Sequence, residues 1–328
     1  MKKISLETNY LGLQLKNPLI VSSSGLTDSV DKIKKVEEAG AAAVVLKSLF
    51  EEQINNDAGR IEDYNSGYPE AIDYIRAYTK SNSVDQYLKL IAEAKQEVNI
   101  PVIASISCIS AKEWVDFAVK VEQVGADALE LNLFFLPVYK ENEAKIYENI
   151  YYEMLDKVKK VVKIPVAVKI GHYFTNPVNV VSELYFHKAN GVVLFNKFYE
   201  PDIDIERMQM IAGNVFSHAS DLHLSLRWMA LVSAELPQIH LSASTGVHDG
   251  KAVVKQLLAG AQTVQLCSAL YLKGIEYIGE MLNFLTEWMP RHNYKTVDEF
   301  RGMMNYKNID NPEVYERSQF MKYYSNKE

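Results

Sequence analysis

Cysteine is scarce in this chain, with Cys108 and Cys267 as the only two among 328 residues. Two cysteines are too few for a disulfide framework, and they form neither a Cys-x-x-Cys pair nor a Cys/His group of zinc-binding spacing. We therefore expect the reducing cytoplasm as the location, and we expect no metal site.

Long apolar runs and an excess of positive charge are missing as well. No stretch approaches the about 18 consecutive apolar residues of a membrane span, and Lys2 and Lys3 are not followed by the apolar region of a signal peptide. The 35 Lys and Arg are outnumbered by 42 Asp and Glu, so the net charge is -7. Since such a chain has little general affinity for nucleic acid or anionic lipid, we expect no partner of either kind.

Short apolar runs, by contrast, recur along the whole chain. They are rich in Val, Ile, Leu or Ala with little polar alternation, which is typical of parallel strands covered on both faces. The runs predict eight strands, at 19–23, 42–48, 102–107, 128–133, 166–170, 191–196, 239–244 and 263–268. Amphipathic stretches between them predict helices at 30–39, 84–98, 111–124, 146–162, 177–188 and 250–259.

Eight β/α units without a linker favour an α/β fold of the (β/α)8 (TIM) barrel type. The rival is a doubly wound sheet, but the residues that follow the first strand lack the Gly-x-Gly-x-x-Gly fingerprint. We predict a single domain, 1–328. Three parts exceed a minimal barrel: an N-terminal β-hairpin at 1–18, an active-site lid at 51–83 and a C-terminal extension at 289–328.

Polar residues at the carboxyl ends of the strands mark the expected active site, because these ends face the ligand in a barrel. Lys47 and Lys169 end two apolar strands, where a lysine is costly unless it is paired or faces a polar site. Together they favour a shared anionic ligand; a solvated lysine beyond a shorter strand is the alternative. The turns at 244–250 and 267–270 each lead into a helix and predict a phosphate site, with an ordinary capped turn as the alternative.

Seven motifs occur along the chain in the following order: Asn17-Pro18-Leu19, Val45-Leu46-Lys47-Ser48, Leu129-Glu130-Leu131-Asn132, Pro165-Val166-Ala167-Val168-Lys169, Leu194-Phe195-Asn196, Thr245-Gly246-Val247 and Cys267-Ser268-Ala269-Leu270. Their order and spacing resemble those of the dihydroorotate dehydrogenases, a family of FMN-dependent barrels, and are nearest to the soluble class 1 enzymes. The segment 194–204 resembles a branch that is usually labelled dihydroorotate dehydrogenase-like. The resemblance covers nearly all of the chain.

The resemblance implies a role for each residue that matches a family motif. Lys169 would sit at the N1/O2 edge of the flavin, where a cation stabilises the negative charge that develops as hydride arrives at N5. The substrate would be held by Lys47, Asn65, Asn132 and Asn196, of which Lys47 and Asn132 would also contact the flavin. The other expected FMN-binding residues are Ser23, Ser24 and Gly25 along the flavin, and Gly246, Val247 and Ser268 at its phosphate.

The chain departs from the family at the proton acceptor. Class 1 enzymes continue Asn-x-Ser-Cys-Pro-Asn with the cysteine as base, and class 2 enzymes place a serine there. This chain has Phe135 at that position, and phenylalanine accepts no proton. Cys108 is a weak candidate, since a cysteine among apolar residues is more often inert packing. Tyr139, His172 and Tyr173 also lie on expected active-site loops, so the catalytic residue is unknown.

These observations predict an FMN-dependent oxidoreductase that acts on a CH–CH group of a small anionic substrate. The family's reaction converts dihydroorotate to orotate in pyrimidine biosynthesis. Phe135 keeps two alternatives open: an FMN-binding barrel that acts on a different substrate, and a non-catalytic flavin-binding protein. Reduction of uracil in RNA is disfavoured by the acidic charge balance. By resemblance to the class 1A enzymes we expect a homodimer.

Overall fold

A closed barrel of parallel strands is the centre of the computed structural model, which describes residues 4–50, 69–107, 111–198 and 200–316. In chain order the strands are β1 (Thr8–Tyr10), β2 (Leu13–Leu15), β3 (Leu19–Val21), β4 (Ala43–Val45), β5 (Leu49–Phe50), β6 (Val102–Ser107), β7 (Ala128–Asn132), β8 (Val166–Ile170), β9 (Gly191–Leu194), β10 (Pro201–Asp204), β11 (Gln209–Ala212), β12 (His240–Ser244) and β13 (Thr263–Leu266).

Eight of these strands form the barrel, in the order β3, β4, β6, β7, β8, β9, β12 and β13, and β13 pairs with β3 to close it. Neighbouring strands are parallel throughout, for example with Asn132 of β7 opposite Lys169 of β8. Each barrel strand lies at a predicted position, so the predicted (β/α)8 barrel is confirmed. The short strand β5 pairs with the end of β6.

Helices surround the barrel and bury the outer face of its strands. Those in the described part of the chain are α1 (Val30–Glu38), α2 (Pro69–Glu97), α3 (Ala111–Gln123), α4 (Ala144–Lys159), α5 (Pro177–Phe186), α6 (Leu222–Glu235), α7 (Gly250–Ala259), α8 (Ser268–Lys273), α9 (Tyr277–Arg291) and α10 (Glu313–Glu316). Because both faces are covered, the residues of β3, β4 and β9 are all buried. This explains why the strands read as unbroken apolar runs in the sequence.

Helices α2 and α6 are among those that differ from the sequence prediction. Helix α2 begins at Pro69, so the second part of the predicted lid at 51–83 is helical, while residues 51–68 lie outside the described residues. Proline suits the first turn of a helix, where its missing N–H has no partner in any case. Helix α6 was not predicted, because Leu222, Leu224 and Leu226 at its start alternate with polar residues as in a strand.

The N-terminal hairpin closes the end of the barrel opposite the carboxyl ends of the strands. β1 and β2 pair antiparallel, with Tyr10 opposite Leu13. Tyr10, Leu11 and Leu15 are buried against a layer of inward-facing strand residues that includes Ile20, Val45, Ile103 and Ala167. The backbone N–H of Leu11 donates to Nδ1 of His240 at 2.7 Å and so ties the hairpin to β12. The predicted hairpin is therefore present.

Two further segments extend the barrel. β10 and β11 form an antiparallel hairpin after β9 that the sequence did not predict, since its residues are exposed and its apolar side chains have no periodic pattern. In the C-terminal extension, Phe300 is buried and the N–H of Gly302 donates to the Leu257 carbonyl of α7. Among the described residues, no helix is long and apolar enough to cross a membrane.

Candidate functional site

A cavity of about 480 Å³ opens at the carboxyl ends of the barrel strands, where β3, β8, β9, β12 and β13 converge. We call it the Lys169 cavity. Its lining includes seven of the residues expected to bind FMN, together with Asn196, which is expected at the substrate. The seven are Ser23, Ser24, Gly25, Lys169, Gly246, Val247 and Ser268.

Lys169 is a buried cation at the base of this cavity, with 4% of its surface exposed. Its Nζ donates to Ser22 Oγ at 2.9 Å and to Gln265 Oε1 at 3.0 Å. The Glu130 carboxylate is 3.8 Å away, close enough for an ion pair but too long for a hydrogen bond. An ammonium has three donors. Within the described residues, one N–H of Lys169 therefore remains for a group in the cavity.

Glu130 and Gln265 hold this lysine in place, and the sequence did not single them out. Both are buried, and Gln265 Nε2 donates to Glu130 Oε2 at 2.7 Å. That bond fixes the amide so that its oxygen faces Lys169. The signal in the sequence is a polar residue inside an apolar strand, in Ala-Leu-Glu-Leu and Thr-Val-Gln-Leu.

The Glu130 carboxylate also acts on two buried phenols. Burial, with the nearby Glu130 charge as a further cause, raises the pKa of Tyr87 and of Tyr10 well above that of a free tyrosine. The Tyr87 hydroxyl donates to the Ser105 carbonyl and accepts from the Ser105 N–H. Both phenols therefore stay neutral in the physiological range.

The turn after β12 forms one end of the Lys169 cavity. Gly246 has a φ of 79°, and a Cβ at this position would collide with the backbone nitrogen of Leu222. Only glycine allows the turn to lie so close to the backbone of Leu222. The loop after β11 adds Ser217, whose N–H donates to Ser268 Oγ at 3.0 Å and whose Oγ is 3.0 Å from His248 Nε2. Ser217 was missed, because the irregular loop that carries it gives no periodic signal.

Serines and a glycine that follow β3 also line the cavity. The Ser23 hydroxyl is 2.9 Å from that of Ser48, which in turn is 2.7 Å from the Ser105 hydroxyl. A Cβ on Gly25 would lie 2.8 Å from the Tyr271 hydroxyl. Cys267 also lines the cavity, and burial raises the pKa of its thiol. A thiol that stays protonated is a poor nucleophile.

A second cavity of about 410 Å³ adjoins the first, and we call it the His172 cavity. The two cavities share Asn196, Lys197 and Thr245 in their linings. Asn196 Nδ2 donates to Asn132 Oδ1 at 2.7 Å, so these two expected substrate residues are in contact. Lys47, at the end of β4, does not line either cavity, and its side chain is exposed.

Phe135, expected at the position of the base, does not line the Lys169 cavity. Its ring meets the Tyr151 ring of α4 edge-on, with centroids 5.5 Å apart, and it packs against the core. Phe134 stacks on Phe198. Both phenylalanines line a third cavity of about 270 Å³, together with Tyr139 and Tyr173. Asn65 and Cys108 lie outside the described residues.

The fold and these cavities define a barrel with an anion-compatible ligand site at the carboxyl ends of its strands. Residues 5–289 match the family model described as dihydroorotate dehydrogenase, and the chain belongs to that family. The resemblance seen in the sequence is thereby confirmed. Because the family consists of oxidoreductases that act on CH–CH groups, the predicted enzyme class is confirmed as well.

Relatives in several archaea match this chain over almost their whole length. The catalytic subunit of dihydroorotate dehydrogenase B (NAD(+)) from Methanocaldococcus jannaschii is 26% identical over 319 residues, which is 92% of this chain and 99% of the relative. The proteins of the same name from Thermoplasma volcanium and Pyrococcus abyssi are 27% and 28% identical, over 91% of this chain and 98% of each relative.

Proposed function

We propose that this chain is a single-domain barrel that binds FMN without a covalent bond in the Lys169 cavity and oxidises a small anionic substrate, with dihydroorotate as the first candidate. The observation that carries the proposal is the buried Lys169 ammonium. Among the described residues its hydrogen bonds go to Ser22 and Gln265, so one N–H stays available for a ligand in the cavity. When bound, FMN supplies the two-electron acceptor for a hydride that leaves a C–H bond.

The residues that line the cavity fit FMN. At one end, the backbone N–H groups of Gly246 and Val247 and the Ser268 hydroxyl would hold the phosphate, since glycine allows the close approach that the turn requires. Ser23, Ser24 and Gly25, which line the same cavity, would lie along the ring system. The cavity volume of about 480 Å³ also falls in the range of about 300–1,000 Å³ that ligand sites span.

Lys169 has an electrostatic role in this proposal. Its charge is fixed by Ser22 and Gln265 before any ligand binds, so it stabilises negative charge without reorganisation. Burial strengthens that effect, because water screens the ammonium little.

The asparagine pair supports a dihydropyrimidine as substrate. Asn196 donates to Asn132 through one amide N–H. Within the described part of the chain, the Asn132 amide group and the Asn196 side-chain oxygen then remain for a ligand. A dihydropyrimidine ring has both N–H donors and carbonyl acceptors, so it complements this set. Lys47 and Asn65 are proposed to complete the site, Lys47 at the substrate carboxylate.

The proposal is tested first by the visible spectrum and then by the flavin reaction. The purified protein, mixed with FMN and freed of excess, is expected to keep the absorbance of bound flavin. Anaerobic mixing with dihydroorotate is then expected to bleach that absorbance, because hydride transfer needs no second acceptor. Absence of bound flavin contradicts the whole proposal, whereas bound flavin that stays oxidised contradicts the choice of substrate.

A second candidate function follows from the loop after β7. Phe134 and Phe135 offer no proton acceptor there, which favours an FMN barrel for another substrate or a non-catalytic flavin-binding protein. These two alternatives are separated by testing several dihydropyrimidines, some with and some without a carboxylate. Reduction of the flavin by any of them excludes the non-catalytic alternative.

We also propose a homodimer, a cytoplasmic location and a place in pyrimidine biosynthesis, on the basis of the family resemblance. The relatives carry NAD(+) in their names, so NAD(+) is the first acceptor to test for reoxidation of the flavin. Light scattering across a range of concentrations gives the oligomeric state.

A further inference from the structure

We propose that His172 is the proton acceptor of the oxidation. It would take over the task that the family motif gives to a cysteine or serine at the position of Phe135. The inference rests on the function proposed above, because a proton acceptor is needed only if hydride leaves the neighbouring carbon.

The cavity that His172 shares with Asn196 carries the inference. His172 comes three residues after Lys169, on the loop that follows β8, and it lines the same cavity as Asn196. Its ring packs against the Tyr173 ring at 4.0 Å and against the Phe195 ring at 6.3 Å between centroids. Asn196 lines both the Lys169 cavity and the His172 cavity, so a ligand that lies between Lys169 and Asn196 borders the cavity that His172 lines.

The other titratable groups of the His172 cavity are less suited to accept a proton. Glu200 and Asp221 are ion-paired with Lys197, at 3.1 Å and 3.9 Å. His223 is exposed, and its Nδ1 is 3.1 Å from the Ser220 carbonyl oxygen. Tyr173 is also exposed, and a phenol donates a proton rather than accepting one at neutral pH.

His172 itself is in the state that a base requires. Neither ring nitrogen hydrogen-bonds to another residue within the described ranges. Burial lowers the pKa of His172, the Glu200 charge opposes this effect, and the Lys197 charge adds to it. The imidazole is therefore neutral at pH 7 and has a lone pair free to take a proton.

The proposed step conserves atoms and electrons. The C–H bond beside the substrate carbonyl breaks and its proton goes to the free nitrogen of His172, which becomes imidazolium. The adjacent carbon loses hydride, which the flavin of the proposed function takes up as oxidant, and the electron pair of the broken C–H bond forms the C=C bond. The imidazolium then releases its proton to water.

The test compares His172→Gln with the matched control His292→Gln, which replaces an exposed histidine beyond α9. FMN-loaded protein is mixed with dihydroorotate without oxygen, and flavin bleaching is followed between pH 5 and 9. The wild type is expected to slow as the pH falls through the lowered pKa of His172. His172→Gln is expected to be about 100-fold slower or more, with that pH dependence lost, while His292→Gln matches the wild type.

A second readout does not depend on turnover. When orotate binds to the FMN-loaded protein, the NMR signal of the His172 ring is expected to shift and its pKa to rise, because an anion beside the imidazole favours its protonated form. If dihydroorotate reduces the wild-type flavin and His172→Gln reacts within about threefold of that rate, the assignment is overturned. An unchanged His172 signal with orotate bound also overturns it. If dihydroorotate does not react and orotate does not bind, the proposed function has failed and the base assignment falls with it.

Discussion

The Glu130 carboxylate lies 3.8 Å from the Lys169 ammonium, and both groups are buried inside the barrel. Gln265 links them through hydrogen bonds to each. A buried cation is costly without such a partner. The pair therefore explains how one fixed positive charge is kept under the ligand cavity.

Replacing Glu130 by glutamine is expected to destabilise the fold, because Lys169 is left without its buried counter-charge. Breaking a buried pair typically costs about 3–5 kcal/mol of unfolding free energy. Urea unfolding measures the loss. The control Glu97→Gln breaks the exposed ion pair with Lys34. Its urea concentration at the midpoint of unfolding is expected to stay close to that of the wild type. Equal midpoints for the two variants would contradict a role for the buried pair.

Gly246→Ala tests the phosphate end of the site. The new Cβ would collide with the Leu222 backbone, so FMN affinity is expected to fall about tenfold or more, together with stability. Gly125→Ala is the matched control: its φ of 93° is also positive, but a Cβ there has open space. That variant is expected to lose about 1–2 kcal/mol from backbone strain alone and to bind FMN normally. FMN fluorescence titration distinguishes the two results.

His240 is expected to make stability depend on pH. Burial, with the nearby Arg301 charge as a smaller cause, lowers its pKa in the folded protein, where its Nδ1 accepts the Leu11 N–H. In the unfolded chain the His240 imidazole takes up a proton near the ordinary histidine pKa of about 6.5. Above that pH, His240 therefore contributes its full stabilisation to the folded state. The contribution is lost as the pH falls through the lower folded pKa.

The measurement for His240 is the melting temperature of the wild type and of His240→Asn, whose side-chain oxygen can accept the same N–H without titrating. The wild type is expected to lose stability relative to the variant between pH 7 and pH 5. If the difference in melting temperature between the two proteins is constant from pH 7 to pH 5, unfolding does not change the protonation of His240 and the prediction is wrong.

Placing a cysteine at position 135, where the family resemblance leads us to expect the base, is expected to give no gain in rate. The Phe135 ring packs on Tyr151 and the core rather than on the Lys169 cavity, so a thiol at this position would point away from the substrate. Phe135→Cys is expected to lose about 1–3 kcal/mol of stability through lost packing. Flavin bleaching by dihydroorotate that becomes about tenfold faster or more in this variant would mean that the loop turns Phe135 inward.

The barrel was predictable from the sequence because its strands are buried on both faces and read as continuous apolar runs. Lys169 and the turn at 244–250 could be named because carboxyl ends of barrel strands meet at one place. Ser23, Ser24, Gly25 and the particular role of Gly246 came from the family resemblance instead. Glu130 and Gln265 could not be identified in this way, since only the closed barrel brings β7 and β13 to the same lysine. Helix α6 was hidden by a local alternation of leucines that resembles a strand.

The most direct test of the central claim is FMN titration of a variant without the buried cation. In Lys169→Met with Glu130→Gln, no buried carboxylate is left uncompensated, so binding can be measured on a folded protein. The account predicts FMN binding about tenfold weaker or more than in the wild type and a lower reduction potential of bound flavin, because a charge-assisted hydrogen bond is lost. Lys163→Met, which changes an exposed lysine before the same strand, should match the wild type. FMN affinity and potential unchanged in the double variant would contradict the claim that Lys169 holds the cofactor.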